Sequence, residues 1–273
     1  MCEKNILLIN DFCGYGNVAT VAMMPVLSYL GIPTFNLPTA IVSNNLEYGK
    51  FNILDTTEYM RGVLPVWEEL GFNFGAIATG FIASDSQAEL IADFCTVKAN
   101  QGTSVFVDPI MGDEGKLYNG VSPSIIKSMR RLVSKADIIV PNYTEACFIT
   151  NTPYSSSGVT AEEAKIMIGT LCEIGAKSVL ITSITVDGSN TVAGFNASTG
   201  KYFNLPYEEI PVRFPGTGDI FSSVLFGNIL KDNILEESCQ RAIDFVSKLI
   251  ISCKDQNDKF RGIPIEKYLY LLD

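Results

Sequence analysis

The chain contains no histidine. That absence excludes Ser–His and Cys–His nucleophile pairs and any histidine-ligated metal. If the chain catalyses proton transfer, the work falls to Asp, Glu, Lys, Tyr or Cys, and a metal is expected to be a hard, oxygen-bound ion such as magnesium. Paired cysteines are also missing. Cys2, Cys13, Cys95, Cys147, Cys172, Cys239 and Cys253 are seven, odd in number and never spaced C-x-x-C, which suits reduced thiols rather than a disulfide framework or zinc site. No G-x-x-x-x-G-K-[ST] occurs, and Gly14-Tyr-Gly16 lacks the third glycine of a dinucleotide fingerprint. No apolar run reaches membrane-spanning length, and Met-Cys-Glu-Lys-Asn lacks the form of a signal peptide. Positive charge is scarce: 20 Lys and Arg against 30 Asp and Glu leave a net charge of −10. That argues against nucleic acid or an anionic membrane as the main partner. A nucleotide held by backbone amides and a metal ion stays compatible. The expectation is a soluble, cytoplasmic protein whose partners are small molecules.

What is present is a core-rich chain, 47% hydrophobic and 18% charged over 273 residues, enough for one α/β domain spanning residues 1–273. Strands are expected at 5–9, 32–37, 76–78, 104–107, 138–140 and 178–181. Helices are expected at 18–29, 55–70, 84–100, 122–134, 160–173, 219–231 and 235–253. Pro25 should kink the first helix or delay its start. Asp55 with Glu58, and Thr160 with Glu163, have capping-box spacing; Ser84 with Gln87 also suits a helix start. The segment 38–52 shows no periodicity and reads as a surface flap. Residues 191–195 and 201–205 read as a hairpin, and the apolar 263–272 as a segment packing back on the body. Strand and helix thus alternate at βαβ spacing, which gives a three-layer α/β fold with a mostly parallel central sheet flanked by helices. Trp67 and Tyr59, on an amphipathic helix pattern, read as core or interface. Cys13 reads as a small buried residue.

The chain is organised around Arg213-Phe-Pro-Gly-Thr-Gly-Asp219, which opens an apolar helix. A glycine-rich turn at a helix start leaves backbone N–H groups pointing outward, with the positive end of the helix dipole behind them, and so suits a phosphate. Asp219 at the mouth of that site could take a proton from an attacking hydroxyl. It could equally N-cap the helix. In open α/β sheets ligands bind beyond the carboxyl ends of strands, and four more polar groups fall there: Asn10-Asp11, Asp108 to Asp113, Asn142 to Glu145, and Thr182-Ser183. Each also has an ordinary reading. Asn142 and Glu145 have helix-cap spacing, Asp113 suits a turn, and Asp11 could cap one. Carboxylates converging with an anion-binding turn and no histidine imply magnesium–nucleotide chemistry.

The ordered set Thr79-Gly80-Phe81, Asp108-Pro-Ile-Met-Gly-Asp113-Glu-Gly-Lys-Leu-Tyr118, Pro141-Asn-Tyr-Thr-Glu145, Leu180-Ile-Thr-Ser183 and Gly216-Thr-Gly-Asp219 resembles the signature of the pyridoxal kinases, members of the ribokinase-like superfamily. The likeness runs from the first strand to the helix after Asp219. It implies an ATP-dependent kinase for the hydroxymethyl group of a B6 vitamer. Asp219 would be the catalytic base and Gly216, Thr217 and Gly218 the anion hole. Asn10, Asp11, Ser43, Asn45 and Phe81 would meet the acceptor. Asp113, Asn142, Thr182, Thr217 and Gly218 would meet ATP. Asp113, Asn142 and Glu145 would order magnesium, partly through water, while Asp108 and Thr182 stand where the family often builds a potassium or sodium site. Members of the family commonly form homodimers.

The acceptor side departs from the family. Ser43-Asn44-Asn45-Leu46 replaces a frequent Ser-x-His-Thr, so the histidine and threonine that help hold the ring are gone. Phe81 stands for a frequent tyrosine, keeping the stacking face without the hydroxyl. Val140 replaces a threonine of the monovalent-cation site, and Pro215 a cysteine found in some members. These changes bring in two rivals: a kinase for hydroxymethylpyrimidine or another small alcohol, and a non-catalytic sensor of vitamer or nucleotide.

Overall fold

In the computed structural model, residues 4–273 are described, and they divide into two compact units, 4–80 with 210–273, and 81–209. The first unit begins with β1 (Ile6–Ile9), whose four apolar residues are all buried. A short β2 (Phe12–Cys13) follows inside the expected turn, then α1 (Ala19–Tyr29) and β3 (Thr34–Asn36). Pro25 lies within a continuous α1 and does not divide it. The expected flap is partly strand. Its β4 (Ala40–Val42) pairs parallel with β2 and antiparallel with β5 (Ile53–Asp55), around a 3₁₀ turn at Leu46–Tyr48. Its three-residue strands are too short to print a period on the sequence.

Then come α2 (Thr57–Glu69) and β6 (Ala76–Thr79). Asp55 accepts the Thr57 N–H at 2.7 Å, but Glu58 does not close the expected box and instead lies 3.4 Å from Arg61. Tyr59 is 59% exposed, so it is not a core residue. Both β3 and β6 pair parallel with β1, which puts their carboxyl ends on one edge.

The second unit opens with α3 (Asp85–Asn100), β7 (Ser104–Val107) and a small hairpin of β8 (Gly112–Asp113) and β9 (Lys116–Leu117). At the start of α3, Gln87 accepts the Ala83 N–H while Ser84 makes no side-chain cap. There follow α4 (Ile125–Val133), β10 (Ile138–Ile139), α5 (Tyr143–Thr150) and α6 (Ala161–Ile174), the last with the full Thr160–Glu163 capping box. The strands β7, β10 and β11 (Ser178–Val186) run parallel. The expected hairpin, β12 (Ser189–Asn196) and β13 (Lys201–Pro206), extends them antiparallel. The strand β11 runs five residues past its expected end, through an irregularity between Ile181 and Ile184 that leaves Ser183 at φ 53°.

The chain then returns to the first unit with α7 (Thr217–Leu230) and α8 (Leu235–Cys253). Within that unit α1 packs on α7. Gly227 lets them approach: a Cβ there would lie 2.6 Å from Leu30. Two 3₁₀ turns close the chain, with Ile263 and Ile265 buried. The fold is the expected α/β class with a mostly parallel sheet. Among the described residues no helix is long and apolar enough to cross a membrane.

Candidate functional site

In the first unit the glycine turn behaves as an open helix start. Gly216 takes the left-handed conformation at φ 83°, no side chain caps α7, and the Ile220 N–H returns to the Gly216 carbonyl at 3.0 Å. The N–H groups of Thr217 and Gly218 lie ahead of that first helical bond, among the donors a helix start leaves without an intrahelical partner and an anion could take up. The Thr217 hydroxyl turns back to the Phe214 carbonyl at 3.2 Å.

Asp219 is not at the mouth of this turn, as expected, but buried at 9% exposure. One carboxylate oxygen accepts the Ala19 N–H at 2.8 Å and the other the Asn10 side-chain amide at 3.3 Å. It therefore does not cap its own helix through a neighbouring turn residue. Burial pushes its pKa up to about 6, and the Ala19 and Asn10 hydrogen bonds hold the rise in check.

Asn10 organises the neighbouring loop. Its carbonyl oxygen accepts the Asp11 N–H at 2.9 Å, and its side chain fills the space over Gly80, where a Cβ would lie 2.4 Å away. Asp11 is raised to about 7, by burial first and then by the charge of Asp219. Cys13 is buried as expected, and its thiol is pushed up to about 11 by burial and by Asp11. The structure thus brings Asn10, Asp11 and Asp219 together.

Ser43 and Asn45, expected to meet the acceptor, are engaged in hydrogen bonds within the protein. The Ser43 hydroxyl donates to Asn44 at 2.7 Å and accepts the Asn52 N–H at 2.8 Å. The Asn45 amide donates to the Phe260 carbonyl at 2.7 Å, and its oxygen accepts the Glu47 N–H at 3.2 Å. Ser43 holds the flap's own turn, while Asn45 caps the 3₁₀ turn and also ties the flap to Phe260, roles that spacing alone does not distinguish from ligand binding.

In the second unit Asn142, Glu145, Thr182 and the loop carrying Asp113 form one hydrogen-bonded cluster. Asn142 and Glu145 complete a capping box on α5: the Asn142 oxygen accepts the Glu145 N–H at 2.9 Å and Glu145 accepts the Asn142 N–H at 2.9 Å. The other Glu145 oxygen accepts the Met111 N–H at 3.0 Å, and the Asn142 amide donates to the Gly112 carbonyl at 2.8 Å, tying in the loop that carries Asp113. Thr182 joins through its N–H to the Pro141 carbonyl at 2.9 Å and a parallel bridge to Asn142. The ordinary capping role of Asn142 and Glu145 is therefore real.

Burial, and then the charge of Asp108, holds the Glu145 carboxyl well above the usual carboxylate range. A buried acid beside a second one is the environment a divalent cation would neutralise. Each Glu145 oxygen already accepts a backbone N–H, so contact through water fits better than direct ligation. Among the described residues no group of three or more acids and thiols forms a ready metal cage. Phe81 is partly exposed and opens the second unit. Motif reading missed Ala19, whose backbone N–H donates to Asp219 and leaves no side-chain signature.

The chain is similar to known proteins over nearly its whole length. A family profile described as phosphomethylpyrimidine kinase matches residues 26–262. A Bacteroides thetaiotaomicron protein provisionally named phosphomethylpyrimidine kinase, in a crystal form with pyridoxal, is 33% identical with a TM-score of 0.93, covering 98% of this chain and 95% of that one. Pyridoxal kinase PdxY of Rubrobacter xylanophilus is 28% identical over 247 residues, 86% of this chain and 82% of that protein. Pyridoxal kinase from Leishmania donovani, in complex with ADP and pyridoxamine, shares the fold at a TM-score of 0.84 and 21% identity, covering 98% and 95% of the two chains.

Proposed function

Because the chain belongs to the phosphomethylpyrimidine kinase family and is a kinase, we propose that it transfers the γ-phosphoryl group of ATP to the 5′-hydroxymethyl oxygen of pyridoxal, pyridoxine or pyridoxamine. The observation that carries this reading is Asp219: a carboxylate in the first turn of an uncapped helix, raised to about 6 and so ionised at neutral pH while still basic enough to accept a proton. In the reaction the acceptor hydroxyl gives its proton to Asp219 as its oxygen bonds to phosphorus, and the bond to the bridging oxygen breaks to release ADP. The Asn10 contact to Asp219, the longer of its two at 3.3 Å, is the one an acceptor hydroxyl would replace. The N–H groups of Thr217 and Gly218, next to Gly216, would meet the negative oxygens of the moving phosphoryl group.

On the nucleotide side, Asp113, Asn142 and Thr182 would meet ATP. Magnesium supplies charge neutralisation for the phosphates when bound. Glu145 and Asn142 would hold it through water, with Asp113 near. Asp108 and Thr182 would serve a potassium or sodium ion. The resemblance also implies a cytoplasmic homodimer, which light scattering on the purified chain tests.

The deciding experiment is ADP release across the three vitamers and hydroxymethylpyrimidine, with ATP and magnesium. The expected result is turnover with at least one vitamer. Turnover with hydroxymethylpyrimidine alone would select the second reading, which the family description and Phe81 favour. Vitamer binding without ADP release would make the chain a sensor.

A further inference from the structure

Ala19 is the first residue of α1, yet its φ is 53°. An alanine in the left-handed region is strained by about 1 kcal/mol, and such strain persists only where the surroundings impose it. Here it aims the Ala19 N–H at Asp219, 2.8 Å away. The restraint lies two residues earlier. The Asn17 N–H donates to the Arg261 carbonyl at 2.8 Å and its side-chain amide to the Ile263 carbonyl at 2.8 Å, around a parallel bridge to Gly262. The Asn17 carbonyl is wedged between two glycines. A Cβ on Gly216 would lie 2.5 Å from it and a Cβ on Gly262 2.7 Å, and both glycines are left-handed at φ +83° and +79°. On the far side, the Thr20 N–H donates to the Asp11 carbonyl at 3.2 Å.

We propose that Asn17, clamped by residues 261–263, is a positioning residue that keeps Ala19 left-handed and so delivers the Ala19 N–H to Asp219. The inference rests on Asp219 as the base and adds what sets its basicity. The groups that act on Asp219 are the Ala19 N–H, the Asn10 amide and its own N–H. The titratable groups whose charges it meets are Asp11, from the loop after β1, and Cys13, from β2. A donor to a carboxylate favours the ionised form, so losing the Ala19 N–H raises the Asp219 pKa. The acid limb of the activity profile then moves to higher pH.

The test is Asn17→Ala and, separately, Gly262→Ala, which pushes the strap off the same carbonyl from the other side. Two readouts are taken on the full chain: the titration of the Asp219 carboxyl by NMR, and kcat/KM for the acceptor against pH. In each variant both should shift upward by about one pH unit, the size typical of one lost hydrogen bond to a charged group. Adding Ala19→Gly to Asn17→Ala should bring them part of the way back, because glycine takes the left-handed conformation without strain. An Asp219 titration unchanged in either folded variant overturns the proposal. A shifted titration with an unshifted activity profile upholds the positioning role and instead removes Asp219 as the base. If a variant does not fold, Asn17→Ser, which keeps a donor and the backbone bridge, is read the same way with a smaller shift.

Discussion

Among the helix starts that carry an acid in the third helical position, α5 and α7 use it in opposite ways. At α5 the acid is Glu145, and it folds back on its own helix start: with Asn142 it closes a capping box and also accepts the Met111 N–H. At α7 the acid is Asp219, and it turns away to Ala19 and Asn10, leaving a helix start with no side-chain cap. The first end is chemically closed. The second leaves its first-turn N–H groups without a side-chain cap and holds a carboxylate whose pKa is pushed up to about 6. The two letters in the sequence are interchangeable in charge. What separates them is the residue at the helix cap, an asparagine with an acceptor oxygen at one end and a left-handed glycine at the other.

That contrast is most sharply broken at Asp219. Asp219→Asn keeps the shape and the contact to Ala19 but removes the proposed base, so turnover should fall by about a thousandfold or more, as for loss of an essential proton acceptor. Urea unfolding at pH 8 should show no loss of stability, because a buried charge has gone. A variant near the wild-type rate would make α7 as purely structural as α5. The next largest effect is expected at the other end. Glu145→Ala removes the acceptor of two N–H groups, those of Met111 and Asn142, in a buried site. Leaving them unpaired should cost about 3 kcal/mol in urea unfolding. A loss confined to turnover, with stability intact, would move Glu145 to the side of Asp219.

Asp11 sharpens the comparison from the side of charge. Its folded pKa is pushed up to about 7, well above the ordinary aspartate value of 3.8, through burial and the charge of Asp219. Between those values the native chain holds a proton that the unfolded chain has lost, so this group's contribution to stability is present at low pH and fades as pH rises through about 7. Asp11→Asn should therefore stabilise the fold at pH 8 by about 2 kcal/mol, allowing for its partial exposure, and make little difference at pH 3.5. Equal effects at both pH values would mean that Asp11 carries no strained charge.

The fold was legible wherever a period was long enough to count. The helix at 235–253 and the strand at 104–107 were read to their ends, because each is bounded by clear turn residues. The flap was not. Strands of three residues, paired across sequence gaps by β2 and β5, carry no local signature. At the site, spacing named Asp219, Asn142 and Glu145 but did not say which way each carboxylate turns. That depends on partners distant in sequence, Ala19 being 200 positions from Asp219. Asn45 shows the same limit: its amide holds Phe260, 215 residues on.

The smallest expected effect comes from a third helix start, and it tests whether burial or chemistry sets the scale. At α2 the cap is made by Asp55, which accepts the Thr57 N–H at 2.7 Å and also the Thr57 hydroxyl. Unlike Glu145, Asp55 is exposed, so water can take over the N–H that loses its partner. Asp55→Ala should therefore cost only about 1 kcal/mol, the usual value for a solvent-exposed cap. Turnover should not change. If the loss matched that of Glu145→Ala, the capping bond itself would set the energy. If it stays smaller, desolvation of the orphaned N–H groups decides, and the closed end of α5 is stable because it is dry.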